Sequence, residues 1–311
     1  MKITIVGPGA MGCLFAGLLT RADSGNDIWL LDKDPERAKR IKAKGIGVEG
    51  VNNFKLGVNI TADPNLIGHS ELVIISTKSY DTKTALNAIK PLLKDDTNVL
   101  SLQNGIGNLQ IIAEQVGEER TVCGMTAHGA TLVGEGKIRQ IGKGETIIGK
   151  PTGKIFRDLR YISSVFNRAG ITTKTSRDVN GVIWSKLIIN AGINALAAIC
   201  RISNGALLTH EGTKELMCQA VIESAKVAKR KKVKLIFDDP LQKVESVCKN
   251  TAANICSMLQ DITHKKETEI DYINAAIVRH AKSSGLKAPV NEMLTQLVKA
   301  IESSYKEQVK V

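Results

Sequence analysis

The sequence predicts an α/β protein in which an N-terminal doubly wound sheet is followed by an all-α C-terminal domain. Strand and helix patterns alternate along the first part of the chain, as in a parallel sheet with helical crossovers. A glycine-rich turn joins the first strand directly to the first helix. Beyond Ser176 strand patterns nearly vanish, and long apolar runs at helical spacing take over.

Residues 2–6 read as a strand rather than a leader, because glycines interrupt the run at once and no small-residue cleavage site follows. Residues 10–20 read as a helix, 28–32 as a second strand, and 35–44 as a helix that Gly45 ends. Residues 72–76 form a short apolar run bounded by polar residues; 81–93 then read as a helix and 98–103 as a strand. From 121 to 149 alternating segments are separated by the glycine turns at 134–136 and 142–144, which predicts antiparallel hairpins. Residues 171–175 read as the last strand. Helices are expected over 180–198, 215–232, 240–253, 266–283 and 291–305. In the fourth of these, Ile270, Ile273, Ile277, Val278 and Ala281 form a helical stripe, with acids in the first turns and Gly285 past the end. These patterns divide the chain into domains at 1–176 and 177–311.

The chain has 311 residues, 43% of them hydrophobic, enough for two ordinary domains with real cores. No apolar stretch approaches the roughly 20 residues that a bilayer span needs, and no targeting segment is seen, so no membrane is expected and the cytoplasm is the default. The six cysteines form no C-x-x-C pair and read as reduced, mostly buried thiols. The five histidines show no metal-ligand spacing, so no metal is expected. Net charge is +12, with its densest cluster at Lys226, Lys229, Arg230, Lys231, Lys232 and Lys234. Only 4% of residues are aromatic, too few for stacking platforms, so the surplus reads as a solvated surface that attracts anionic small molecules rather than nucleic acid. Surplus apolar helices in the C-terminal domain permit a homodimer.

The segment Gly7-Pro8-Gly9-Ala10-Met11-Gly12 follows one strand and opens one helix. In that setting Gly7 permits the turn, Gly9 lets backbone approach a pyrophosphate, and Gly12 lets the helix pack on the sheet. The helix N-terminus offers unpaired amides to the phosphates. This is the fingerprint of a Rossmann-type dinucleotide site. Asp32 ends the next strand, 25 positions after Gly7. A carboxylate there bonds ribose hydroxyls and favours NAD, whereas Lys33 and Arg37 suit the 2′-phosphate of NADP, so both cofactors stay open.

Polar residues stand where a core is expected. Residues 184–198 are nearly all apolar, yet Lys186, Asn190 and Asn194 fall at i, i+4 and i+8 on one helix face. Two amides and an ammonium on one line suit a carboxylate and a reacting carbonyl; the alternative is backbone-satisfying asparagines beside a lysine that snorkels to water. Lys78 and Asn104 follow strand ends, where doubly wound sheets bind ligands, although Asn-Gly is also an ordinary turn. Glu269, taken alone, reads first as an acid at a helix N-terminus.

Together the glycine loop, Lys78, Gln103-Asn104-Gly105, Lys186-x-x-x-Asn190-x-x-x-Asn194, Asn204-Gly205, Ser257-Met258-Leu259-Gln260-Asp261 and Thr268-Glu269-Ile270-Asp271 resemble the 2-dehydropantoate 2-reductase (ketopantoate reductase) family. The resemblance runs from the first strand to about residue 300. It implies NAD(P)H-dependent reduction of 2-dehydropantoate to pantoate, a step toward pantothenate and coenzyme A. It makes Lys186 the general acid and puts Glu269 near the substrate as a second catalytic residue, supporting Lys186 or a substrate hydroxyl. Asn190, Asn194 and Ser257 would hold the substrate, Asn104 and Lys78 would sit at the nicotinamide end, and Asn204 would line the same cleft. Two positions depart from the pattern: Lys33 stands where many relatives have Arg, preceded by Asp32, and Ala275 replaces an expected Gly. The alternatives are a reductase of another 2-oxo acid and a catalytically silent dinucleotide sensor.

Overall fold

A computed structural model describes residues 1–22 and 25–308. In chain order the elements begin β1 (Lys2–Val6), α1 (Ala10–Arg21), β2 (Asp27–Leu31), α2 (Pro35–Lys44), β3 (Ile46–Gly50), β4 (Phe54–Leu56) and β5 (Asn59–Thr61). They continue with β6 (Leu72–Ile75), α3 (Thr82–Ala88), β7 (Asn98–Ser101), α4 (Asn108–Val116), β8 (Thr121–Thr126), β9 (Gly129–Gly134), β10 (Lys137–Gly142), β11 (Thr146–Gly149), α5 (Arg157–Arg168) and β12 (Thr173–Thr175). Six helices follow: α6 (Val179–Cys200), α7 (Glu211–Arg230), α8 (Pro240–Asn250), α9 (Ser257–Thr263), α10 (Asn274–Ser283) and α11 (Pro289–Ser303). No strand follows β12 among the described residues.

Two compact units result. The first takes residues 1–103 and 107–179; the second takes Asn104–Ile106 and the chain from Asn180 onward. Three residues from the middle of the first half thus belong to the helical unit.

In the first unit eight strands run in the order β12-β11-β8-β7-β6-β1-β2-β5. The stretch from β8 to β5 is parallel, and β11 reverses direction against β8. The order changes hand between β1 and β6, the switch point where such sheets bind ligands beyond their strand ends. Alternate side chains serve opposite faces. Ile3, Ile5, Leu72 and Ile74 pack with Leu14 and Phe15 of α1, while Val6, Val73, Ile75 and Val99 pack with Leu86 and Ile112 from the α3–α4 side. A second sheet, β4-β3-β10-β9, carries the expected hairpin as the antiparallel pair β9–β10.

The helical unit is built around α6, 22 residues long. By length and composition α6 is able to cross a membrane, which corrects the reading that no segment reaches that length, but it is mostly buried within its unit. Its core partners include Met217 and Val221 of α7, Val244 of α8 and Ile277 of α10, so it is a core helix.

The largest correction concerns the helix expected over 266–283. A single 3-10 turn occupies Ile270–Tyr272, and the α-helix begins only at Asn274. The helix expected over 81–93 is also shorter: α3 stops at Ala88, and a 3-10 turn around Pro91 follows.

Candidate active site

The dinucleotide loop is shaped by what each glycine must avoid. Gly7 sits at φ +93°, and a Cβ there would meet Thr77 Cγ2 at 2.9 Å. A Cβ on Gly12 would lie 2.0 Å from the Gly7 carbonyl oxygen, so α1 could not approach the turn with any side chain there. Gly9 is different: nothing lies within 4 Å of its Cβ position, which is the open room a pyrophosphate needs. Gly9 also caps α1, no side chain bonds the first amides, and no acid stands in the first turn. Ala10, Met11 and Gly12 therefore open a helix with its positive end ready for an anion. Pro8 O accepts from Cys13 Sγ, and Ser76 Oγ lies 2.8 Å from Val6 O and 2.9 Å from Gly7 O, so the end of β6 holds the loop from beneath. Ser76 was legible only as the last residue of a strand.

Asp32 is buried, and its carboxylate is engaged. Arg37 Nε donates to Oδ2 at 2.6 Å, Arg37 Nη2 donates to Oδ1, and the Asp34 amide donates to Oδ1 at 3.1 Å. Lys33 is well exposed and pairs with Asp81 at 3.3 Å. Gln103 ties the two strand-end loops together: Nε2 donates to Thr77 O and Lys78 O, and Oε1 accepts from Ser101. Lys78 opens the 3-10 turn Ser79–Asp81.

In the helical unit the structure brings Asn104, Glu269 and Lys186 together. Asn104 Nδ2 donates to Glu269 Oε2 at 3.1 Å. The next residues are docked by backbone: the Ile106 amide donates to Tyr272 O at 2.9 Å, and Gly105, at φ +80°, leaves room for Tyr272. Glu269 stands at the N-cap of the 3-10 turn Ile270–Tyr272, but it is buried and its side chain makes no cap bond there. Lys186 is partly buried, and burial pulls its ammonium down from the ordinary lysine value to about 8, against the opposing pull of the Glu269 charge.

Further along α6, Asn190 is half-buried and Asn194 is buried. Cys256, which sequence reading passed over, connects this helix to Ser257. Its thiol donates to Asn194 O at 3.5 Å, and its sulfur accepts from the Leu259 amide as the cap of α9, whose first residue is Ser257. Asn204 lies on a different loop, where Nδ2 donates to Thr251 Oγ1 at 3.0 Å and its amide donates to Asn254 O. Its Oδ1 is buried with no partner among the described residues. The arrangement is an ammonium whose pKa burial lowers to about 8, a carboxylate whose charge opposes that shift, and several amides able to hydrogen-bond a polar anion.

The family model "Ketopantoate reductase PanE/ApbA" matches residues 3–153, and its C-terminal counterpart matches 178–302. The chain belongs to the ketopantoate reductase family. A 2-dehydropantoate 2-reductase of Pyrococcus horikoshii is 39% identical over 306 residues, covering 97% of this chain and 98% of that one. The crystal structure of a PanE/ApbA family ketopantoate reductase from Ralstonia eutropha superposes with a TM-score of 0.90 at 32% identity, covering 98% and 100% of the two chains. A D-mandelate dehydrogenase solved with NADH and anilino(oxo)acetate also superposes at a TM-score of 0.90, with 29% identity and coverage of 98% and 99%. The same architecture is thus shared by relatives named for different 2-oxo or 2-hydroxy acids.

Proposed function

We propose that this member of the ketopantoate reductase family, an NAD(P)-dependent oxidoreductase, reduces the C2 carbonyl of 2-dehydropantoate to the hydroxyl of pantoate, with Lys186 as general acid. The observation that carries the reading is Lys186 itself, held near pH 8 on a core helix beside Glu269. A reduced nicotinamide dinucleotide supplies the hydride when bound. Hydride addition to C2 puts charge on the carbonyl oxygen, and Lys186 Nζ donates a proton to that oxygen as the charge develops. Glu269 keeps the ammonium protonated, and Asn104 holds the Glu269 carboxylate. Asn190, Asn194 and Ser257 bind the substrate carboxylate and hydroxyl, and the orphan Oδ1 of Asn204 accepts from a substrate hydroxyl. The open space over Gly9, with the uncapped amides of α1, suits the cofactor pyrophosphate. Lys78 serves the nicotinamide end.

For the cofactor we propose that both NADPH and NADH are used, with NADPH preferred. Arg37 neutralises Asp32 and so cancels most of its repulsion of a 2′-phosphate, while Lys33 offers a second cation. We place the reaction in the cytoplasm, where buried thiols such as Cys13 and Cys256 stay reduced.

The likeness to D-mandelate dehydrogenase supports a second reading, in which a bulkier 2-oxo acid is the substrate. Initial rates with 2-dehydropantoate and with phenylglyoxylate, each with NADPH and NADH, decide between them. Turnover of 2-dehydropantoate that collapses in Lys186→Ala supports the proposal. Preference for phenylglyoxylate transfers the reading to the second substrate, and absence of turnover with either acid overturns both.

A further inference from the structure

Beside the polar stripe of α6 lies a polar relay with a buried centre that the proposed reaction does not use. Asn274, the first residue of α10, and Asn291, in the first turn of α11, are both 0% exposed. Asn274 Nδ2 donates to Ala191 O of α6 at 3.0 Å and to Asn291 Oδ1 at 3.0 Å. Asn291 Nδ2 donates to Ala220 O of α7 at 3.1 Å and to Glu223 Oε2 at 2.7 Å. The Glu223 carboxylate also accepts from the amides of Val290 and Asn291, capping α11. The orientation of both side-chain amides follows from the partners. Ala191 O, Ala220 O and the carboxylate can only accept, so each Nδ2 must face them and Asn291 Oδ1 is left to accept from Asn274. Four helices are tied by one directional chain of hydrogen bonds.

Its end point is informative. Ala191 lies five residues after Lys186, and Asn274 lies five residues after Glu269. The Asn274–Ala191 bond therefore sets the register between the two segments that carry the proton donor and its carboxylate. A second contact fixes the rotation of α6. Gly192 lies on the side away from the stripe, since each residue turns a helix by about 100°. A Cβ there would meet Val221 Cγ2 of α7 at 2.7 Å, so the α6 backbone is packed directly against an α7 side chain. With the back of α6 held at Gly192 and its flank at Ala191, the direction of Lys186, Asn190 and Asn194 is determined.

We infer that Asn274 is a positioning residue of this enzyme, fixing Lys186 relative to Glu269 through the relay to Asn291 and Glu223. The inference rests on the proposed role of Lys186 as general acid. Burying two primary amides in an apolar core is costly unless their hydrogen bonds are made. Both Nδ2 groups make two bonds each, and Asn274 Oδ1 is buried with no partner among the described residues, so the donors alone hold the relay together. Small displacements of a proton donor are expensive in rate even when binding survives.

The test compares Asn274→Ala and Glu223→Gln with wild type, Lys186→Ala and Val298→Ala, a core truncation elsewhere on α11, each assayed per folded molecule as counted by NADPH binding. Asn274→Ala is expected to lower kcat about tenfold or more and to displace the alkaline limb of the kcat/KM profile, with the Kd for NADPH unchanged. Glu223→Gln, at the partly exposed outer end, is expected to shift the limb in the same direction with a loss of about two- to threefold, and it decides the matter should Asn274→Ala not fold. Val298→Ala is expected to melt earlier with its pH limb unmoved. If the folded relay variants keep the wild-type limb and kcat while Lys186→Ala is inactive, the relay is merely structural and the inference is overturned. If Lys186→Ala itself remains active, the reading of Lys186 fails first.

Discussion

At Lys186 two influences oppose each other: desolvation favours the neutral amine, and the Glu269 carboxylate favours the ammonium, leaving the group near pH 8. A general acid must be protonated to act, so kcat/KM for reduction is expected to be flat below that pH and to fall as pH rises through about 8. Glu269→Gln removes the influence that raises the value. Its alkaline limb should move to lower pH, so activity near neutrality falls while activity in mild acid is better preserved. A limb that stays in place or moves upward would show that Glu269 does not act on Lys186. Asp32 is buried in an ion pair with Arg37. Arg37→Ala should uncover the carboxylate, lowering kcat/KM with NADPH far more than with NADH. Equal losses with both cofactors would mean that Arg37 only supports the loop.

Among the elements, the three-residue excursion Asn104–Ile106 makes the sharpest demand on sequence. A side chain at Gly105 would press its Cβ to 2.4 Å from Tyr272 O, and φ there is +80°. Gly105→Ala should displace Asn104 from Glu269, reducing kcat by about tenfold or more while the Kd for the cofactor is retained, as measured by fluorescence titration and steady-state rates. A variant with normal kcat would show that the Asn104–Glu269 bond is dispensable. This excursion also explains what could be read from the chain and what could not. The glycine loop and the Lys186-Asn190-Asn194 stripe are local patterns, set by spacings within one turn or one helix. The Asn104–Glu269 bond spans 165 positions and leaves no periodic trace. The apolar stripe through 270–281 is continuous, yet the helix does not begin until Asn274. Tyr272 O is taken by the Ile106 amide, the Thr268 amide bonds Glu302, and Lys299 pairs with Asp271. Those distant partners compete successfully with helical hydrogen bonds, so the segment bends at Glu269 instead of continuing the helix. Strand β3 is hard to read for a similar reason: it pairs with β10, about ninety positions away, and its glycines obscure any alternation. Helix α5 was legible in retrospect, since Leu159, Ile162, Val165 and Phe166 fall on one face.

Over the whole molecule the charge balance is +12, while the molecules proposed to bind are anions. The cluster from Lys226 to Lys234 is exposed at and beyond the end of α7, and it belongs to neither the glycine loop nor the Lys186 stripe. Charges so placed can act on association only at long range, through a field that dissolved salt screens. Raising ionic strength from about 0.01 M to about 1 M contracts the screening length from about 30 Å to about 3 Å. Over that range kcat/KM for the substrate and for either cofactor should fall while kcat, set under the proposed mechanism by Lys186 at short range, changes little. NADPH carries an additional phosphate, so its slope should be steeper than that of NADH. Replacing the six basic residues of the cluster by Gln should flatten both slopes without altering kcat. If the slopes persist in that variant, the attraction arises from cations at the cofactor loop, Lys33 and Arg37 foremost, and the cluster is a solvated surface with no part in capture.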